Sequence, residues 1–429
     1  MSDSYLSFVN SPWGRRLAQA IGLPQPLLLQ RHRRGQQGLA NPVIVAGAGR
    51  LAVQVQQIFS ATDTVAATAA TLKAPSTVKV QGAVFDATGV VDLQQLDELY
   101  VFFHTNAKRL AQHGRVVVLG TAPEDCRDLP QAIAQRALEG LVRSLAKELR
   151  RAITVQLIYV APGAEHALES SLRFFLSRRS AYVSGQVVRL EKPLDGPVTV
   201  NWDTPFAGRR ALVTGASRGI GLAIAQVLAR DGAASVGGSA LPLDITAADA
   251  ASLLQAHVSQ SGAFDVVVHN AGITRDKTIT RMTEAAWRSV LAVNLQAPLQ
   301  LSHALLECQG LNPGGRIVCV SSISGIAGNL GQSNYATSKA GVIGLVHGLA
   351  PLAAAQQVTV NAVAPGFIET QMTAKIPLLI REAGRRMNSL SQGGQPIDVA
   401  ETIAWLAHPA SGGVNGQVVR VCGQSLLGA

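Results

Sequence analysis

The chain has 429 residues, 47% hydrophobic and 15% charged, and carries a formal net charge of +10. That is ample material for a core and more length than one ordinary domain needs, so two domains are expected. Four scattered cysteines (Cys126, Cys308, Cys319, Cys422) form no C-x-x-C pair, which excludes a disulfide framework or zinc site. The absence of an 18-residue apolar run or an apolar leader excludes a membrane span or secretory signal.

These features predict a soluble protein of the reducing cytoplasm with no metal. The positive excess falls mostly in the first 200 residues and is densest at Arg31, Arg33 and Arg34, beside proline- and glycine-containing sequence without interleaved aromatics. Nucleic-acid binding is therefore not expected. A basic face of this kind can instead steer anionic acyl carriers or coenzyme A phosphates.

Residues 1–36 read as an arm, helix-like over 13–21 and closed by Pro24 and Pro26. Residues 42–49 (PVIVAGAG) then read as a strand entering a turn that carries only Gly47 and Gly49. Further buried strands are expected at 82–89, 114–120 and 153–160 with helical patterns between them, the alternation of a parallel α/β sheet.

Within this half an internal repeat begins. GRVVVLGT (114–121) mirrors GRIVCVSS (315–322), VAPG (160–163) mirrors VAPG (363–366), and SGQVVRL (184–190) mirrors NGQVVRV (415–421). Aligning Gly140 with Gly341 sets Ala134 where the second half has Tyr335, and Leu138 where it has Lys339. The first half, residues 37–190, is therefore expected to be a degenerate Rossmann- or flavodoxin-like domain without catalytic chemistry. A linker at 191–207, marked by Pro193, Pro197 and Pro205, leads to a catalytic domain at 208–429.

That second domain opens with ALVTGASRGIG (211–221), an apolar strand breaking through a glycine turn into a helix. Gly215, Gly219 and Gly221 would let backbone N–H groups approach a pyrophosphate at the helix N-terminus. A second strand, a helix and a third strand should follow, yet only about seven residues separate Ala233 from LPLDIT (241–246). Roughly twenty residues of a complete βαβαβ unit are absent. Loss of a buried strand would leave backbone groups without partners, so a discontinuity is expected near Ala233 to Ser235, with Cα atoms much farther apart than ~3.8 Å.

Farther on, residues 315–340 read as a strand that delivers Ser321 and Ser322 into a small-residue loop before Tyr335 and Lys339 enter a helix. Spacing four sets the phenol and the ammonium on one helical face. An adjacent ammonium favours a phenolate, and Ser322 can hydrogen-bond a substrate oxygen at the same point. Together the three make a proton-transfer site for a carbonyl/alcohol couple.

TGASRGIG, Asn270-Ala271-Gly272, Asn294, Ser322, Tyr335, Lys339 and Pro365-Gly366 resemble, in order and spacing, the short-chain dehydrogenase/reductase family. GITRDK (272–277), GNLGQSNYATSKAG (328–341) and NAVAPGFIET (361–370) resemble its 3-oxoacyl-acyl-carrier-protein reductases, and the whole chain resembles their long form with an extra N-terminal domain. The resemblance covers about residues 206–429. It implies a doubly wound Rossmann sheet, reduction of 3-oxoacyl thioesters carried by acyl carrier protein or coenzyme A in fatty-acid metabolism, and NADPH or NADH as cofactor. Arg218 leans toward NADPH because it can reach a 2′-phosphate.

By the same resemblance Gly215, Ser217, Arg218, Gly219, Ile220 and Gly221 hold the cofactor phosphates, and Asp244 and Ile245 contact adenine. Asn270, Ala271 and Gly272 flank the cofactor, while Pro365, Gly366, Ile368 and Thr370 meet the nicotinamide end. Asn294 holds a water in a proton relay, Lys339 lowers the Tyr335 pKa and binds the nicotinamide ribose, and residues 371–393 form a substrate lid. A homodimer with a tetramer-like arrangement is implied, the first domain standing in a partner's place. Other readings stay open: another secondary alcohol or ketone substrate, a non-catalytic nucleotide-binding protein, or flavin binding by the first domain.

Overall fold

The computed structural model describes residues 3–425 except 24, 36–37, 68–78, 197, 238–242 and 372. The chain divides into two compact units. The first comprises residues 1–192 with 374–394 and 423–426, and the second residues 193–373 with 395–422 and 427–429.

In the first unit six strands, β1 (Val43–Ala46), β2 (Ala66–Ala67), β3 (Val80–Asp86), β4 (Leu110–Gly120), β5 (Thr154–Val160) and β6 (Gln186–Leu190), form one sheet. Their order is β2-β1-β3-β4-β5-β6, and every pairing is parallel. β5 is buried along its whole length, as a strand covered on both faces must be. The core joins Phe85, Phe102 and Phe103 to Val116, Val118, Leu138 and Val142.

In the second unit β7 (Arg210–Val213), β8 (Ser235–Gly237), β9 (Phe264–His269), β10 (Leu311–Val320), β11 (Thr359–Pro365) and β12 (Val418–Val421) give the order β12-β11-β10-β9-β7-β8. All of these pairings are parallel too. Counted from each unit's own first strand, the two sheets share one order, and the registers agree in detail: Arg115 pairs with Thr154 as Arg316 pairs with Thr359.

The expected discontinuity near Ala233 does not occur. Ala233 N donates to Leu228 O, Ala234 N donates to Arg209 O at 2.9 Å, and β8 pairs with β7 from Ser235 onward. β8 supplies the neighbour that β7 needs, so the short connection leaves β7 paired on both sides. Among the described residues no third strand lies beyond β8, and that edge reads 2-1-3 where a full dinucleotide fold reads 3-2-1-4.

Candidate active site

The second unit's glycine turn follows β7 directly. Gly215 and Gly219 have φ of +67° and +59°, in the left-handed region where a side chain is strained. A Cβ on Gly221 would meet Gly215 O at 2.2 Å and Asn270 Nδ2 at 2.4 Å, so only glycine fits there. The helix Gly219–Arg230 begins at Arg218 with no side chain capping its amides, and Ser217, Arg218 and Gly219 are exposed. Free amide donors at a helix N-terminus behind a tight glycine cradle suit a pyrophosphate.

Asn270, just after β9, braces this turn: its Nδ2 donates to Thr214 O at 3.0 Å and to Gly215 O at 3.2 Å. Asn270 N and Ala271 N both donate to Thr214 Oγ1. Asp244 is exposed and accepts on one oxygen from Thr246 N and Thr246 Oγ1, which holds its carboxyl below the usual range. Ile245 packs against the unit's core. At the end of β11, Gly366 N donates to Val421 O, and a Cβ on Gly366 would meet Cys422 Cβ at 2.6 Å. Ile368 is buried, and Thr373 Oγ1 ties the loop by donating to Ile368 O while accepting from Thr370 N.

Ser322, Tyr335 and Lys339 lie together in the second unit. Ser322 ends the β10 loop and caps the short helix Ile323–Ala327, its Oγ accepting from Ser324 N at 3.1 Å. That helix packs on the helix Ser333–Ala354 through Gly325, whose absent Cβ would meet the Lys339 carbonyl carbon at 2.6 Å. Ser322 therefore reaches the Tyr335 phenol and hydrogen-bonds it. Burial, the largest influence, raises the Tyr335 pKa, the Ser322 bond opposes this, and Asp276 adds to the rise.

Lys339 departs from expectation. Its Nζ donates to Val320 O at 2.7 Å and lies 5.7 Å from the centroid of the Tyr335 ring. The ammonium is directed at a carbonyl and not at the phenol oxygen, and burial of the phenol is what raises its pKa. Burial pushes Lys339 itself down to about 8.

Asn294 lies in a π-helical turn, Ala292–Gln296, and is buried. Its side chain accepts from Ile273 N at 2.9 Å and donates to Ile273 O and Ser338 Oγ, each at 3.0 Å. A Cβ on Gly272 would lie 3.4 Å from Asn294 Oδ1 and 3.5 Å from Lys339 Nζ, so glycine keeps the space between them open.

Three positions lie inside the motifs quoted above, yet no role was read for them there. Asn334 is wholly buried and donates to Arg275 O and Ala286 O while accepting from Tyr335 N, which fixes the start of the tyrosine helix. Ser338 links Asn294 to Tyr335 O. Asp276 accepts from Gln332 Nε2 at 3.0 Å and acts on the phenol electrostatically. A lone Asn, Ser or Asp carries no spacing signal of its own; the hint available was that each falls within a phrase shared with the reductases.

The corresponding region of the first unit is closed. Asp86, buried at the end of β3, accepts from Leu51 N at 2.8 Å and from Thr88 N and Thr88 Oγ1. A Cβ on Gly49 would meet its Oδ1 at 2.1 Å, so a carboxylate fills the place where the glycine turn would face a phosphate. Ala134 and Leu138 are fully buried, and Gln135 between them bonds Thr121 N, Ala87 O and Val90 O.

Among the described residues no His, Cys, Asp and Glu cluster could hold a metal ion, and no helix is long and apolar enough to cross a membrane. The family model described as enoyl-(acyl carrier protein) reductase matches residues 233–423. Over 235 residues the chain is 39% identical to the 3-oxoacyl-[acyl-carrier-protein] reductase of Vibrio cholerae, covering 50% of this chain and 96% of that protein. The enzyme of the same description from Thermotoga maritima is 39% identical over 238 residues, 50% of this chain and 97% of its own. The one from Escherichia coli is 37% identical over 237 residues, 51% and 97%.

Proposed function

The chain belongs to the short-chain dehydrogenase/reductase family, and on that premise we propose that it reduces 3-oxoacyl thioesters to 3-hydroxyacyl thioesters in fatty-acid metabolism. The observation that carries the reading is the meeting of Ser322, Tyr335 and Lys339 in the unit that also carries the open glycine cradle.

A nicotinamide cofactor held at that cradle would supply the hydride. Gly215, Ser217, Gly219, Ile220 and Gly221 are the residues for its phosphates, Asp244 and Ile245 for adenine, and Asn270, Ala271, Gly272, Pro365, Gly366, Ile368 and Thr370 for the remainder. Arg218, exposed at the helix start, favours the 2′-phosphate of NADPH over NADH.

Tyr335 is the acid. Its raised pKa keeps the phenol protonated at neutral pH, so it can give its proton to the substrate ketone oxygen as charge develops there. Ser322, held by the amide of Ser324, turns its hydroxyl proton from the phenol to the same oxygen as charge develops there. Lys339, anchored on Val320 O, brings positive charge beside the phenol and offers its remaining protons to the nicotinamide ribose. Asn294 holds the 273 backbone and Ser338 in place behind this group.

The relatives are named for acyl-carrier-protein thioesters, so acyl carrier protein is the carrier we assign, with coenzyme A thioesters as the accessible assay substrate. The cytoplasm is the matching compartment. The test is NADPH and NADH oxidation with acetoacetyl-coenzyme A by wild type and Tyr335→Phe. Loss of the general acid lowers turnover by about 10² or more while cofactor affinity stays within a few-fold. Unchanged turnover in the variant would sink the assignment.

A further inference from the structure

The end of β10 places one more polar side chain beside the proton-transfer group, and the mechanism above does not use it. Ser321 is 1% exposed, and its amide donates to Val363 O at 2.8 Å, so the sheet fixes its backbone. Its Oγ donates to Lys339 O at 2.7 Å. In return Lys339 Nζ donates to Val320 O, the carbonyl next to Ser321 in the chain, also at 2.7 Å. Lys339 is therefore gripped at both ends, its main chain by a strand-end hydroxyl and its ammonium by a strand-end carbonyl.

The two bonds remove different freedoms of the lysine. Its four-carbon stem has many rotamers, so the bond at Nζ sets where the ammonium rests only if the Cα is itself fixed. The bond to Lys339 O fixes that Cα, because it ties this turn of the helix Ser333–Ala354 to the sheet that also bears Val320 O. The short helix Ile323–Ala327 closes on the same peptide, where a Cβ on Gly325 would meet Lys339 O at 2.9 Å. That contact packs the turn, and the hydroxyl directs it.

The first unit lacks this device, and lacks it as a set. Gly120 stands where the second unit has Ser321, and Leu138 where it has Lys339, at the same interval along the chain. A Cβ on Gly120 would meet Gln135 Oε1 at 2.8 Å and Leu138 Cδ1 at 3.0 Å, so a serine does not fit once leucine fills the lysine's place. The carbonyl is reassigned as well. Leu119 O, the counterpart of Val320 O, accepts from Ala87 N at 2.8 Å.

The strand registers make Ala271 the match of Ala87, because Arg115 pairs with Gly82 as Arg316 pairs with Val266. Ala271 N donates to Thr214 Oγ1 instead, which leaves Val320 O to the lysine. Serine, lysine and available carbonyl thus occur together in one unit and are missing together from the other. A hydroxyl needed only for packing has no reason to follow the lysine.

We propose that Ser321 is a positioning residue: it acts through Lys339, holding the turn that carries the ammonium so that the remaining Nζ protons face the nicotinamide ribose. The proposal deepens the reductase reading and rests on it for the cofactor. Without the hydroxyl the ammonium can still reach Val320 O, but the turn that delivers it is no longer fixed, so cofactor affinity suffers more than proton transfer from Tyr335. One neutral hydrogen bond accounts for a factor of up to about ten.

The experiment compares the full chain of wild type with Ser321→Ala and Ser321→Cys. NADPH affinity is read by fluorescence titration, and kcat with acetoacetyl-coenzyme A at saturating NADPH. The Lys339 signal is read by NMR in protein carrying an isotope label at lysine Cε, assigned as the signal missing from Lys339→Met. Both variants should displace that signal and weaken NADPH binding by about five- to tenfold, while kcat falls by less than about threefold. The thiol nearly matches the hydroxyl in shape but is a weak donor, so Ser321→Cys should behave as Ser321→Ala does. A cysteine variant that behaves as wild type beside an impaired alanine variant would make the role one of packing and overturn the proposal. So would a Lys339 signal and an NADPH affinity that neither variant changes. The Lys339 signal needs neither cofactor nor substrate, so a wild type inactive on acetoacetyl-coenzyme A would count against the thioester, while the signal still decides for or against Ser321.

Discussion

At Tyr335 burial is the largest influence on the phenol, and a residue with no chemistry of its own, Asp276, adds to it. Asp276 is exposed, held by Gln332 Nε2, and its negative charge raises the phenol pKa by disfavouring the phenolate. Removing that charge in Asp276→Asn lowers the Tyr335 pKa. Reduction needs the phenol protonated, so the alkaline limb of the kcat/KM profile moves to lower pH, by a fraction of a unit because the carboxylate is solvent-screened. A profile that does not move, or moves to higher pH, would remove Asp276 from the proton-donor environment. Tyr335, Lys339 and Ser322 were legible in the sequence because spacing four and a strand-end serine specify relative position. The direction of the pKa shift was not, because burial of the phenol sets it, and burial follows from packing of the whole unit and not from spacing along the helix.

Among elements, the contrast between the two glycine turns decides which unit can hold a dinucleotide. The helix Gly219–Arg230 leaves its first amides to solvent, whereas the turn leading to the helix Ala52–Ser60 delivers Leu51 N to the buried Asp86 carboxylate. Asp86→Ala leaves the buried Leu51 and Thr88 amides without their acceptor, a loss of about 1–3 kcal/mol for each. Urea unfolding of the first unit should show a destabilisation of about 2–4 kcal/mol; a cost near zero would mean the carboxylate is a replaceable plug. The pair Gly47 and Gly49 could be read as a weakened phosphate turn, but its occupant could not, since Asp86 lies a whole βαβ crossover away in the chain. The missing strand misled for a related reason. Sequence length showed that a βα unit was short, yet not that three residues of β8 suffice to pair β7.

At the level of the molecule, the helix Ser333–Ala354 poses an assembly question. Lys339 is the one Asp, Glu, Lys or Arg in its 22 residues, and it is buried. Its outward residues Ala340, Gly344, His347, Gly348, Pro351 and Leu352 are exposed, Leu352 at 68%. An outward helix face of mainly small and apolar residues with no Asp, Glu, Lys or Arg calls for cover where its own unit leaves it open. The counterpart helix of the first unit, Leu129–Glu148, instead carries Arg136 and Arg143 paired to Glu139. Small residues at four-residue spacing let a second helix approach closely, so the cover we expect is the same helix of a second copy, an isologous pairing. Light scattering should therefore give the mass of two chains, and Gly344→Glu with Gly348→Glu, which set like charges against each other across a two-fold pairing, should shift it to one. A wild-type mass of one chain would rule the pairing out, and a dimer that survives both charges would move the interface to another surface.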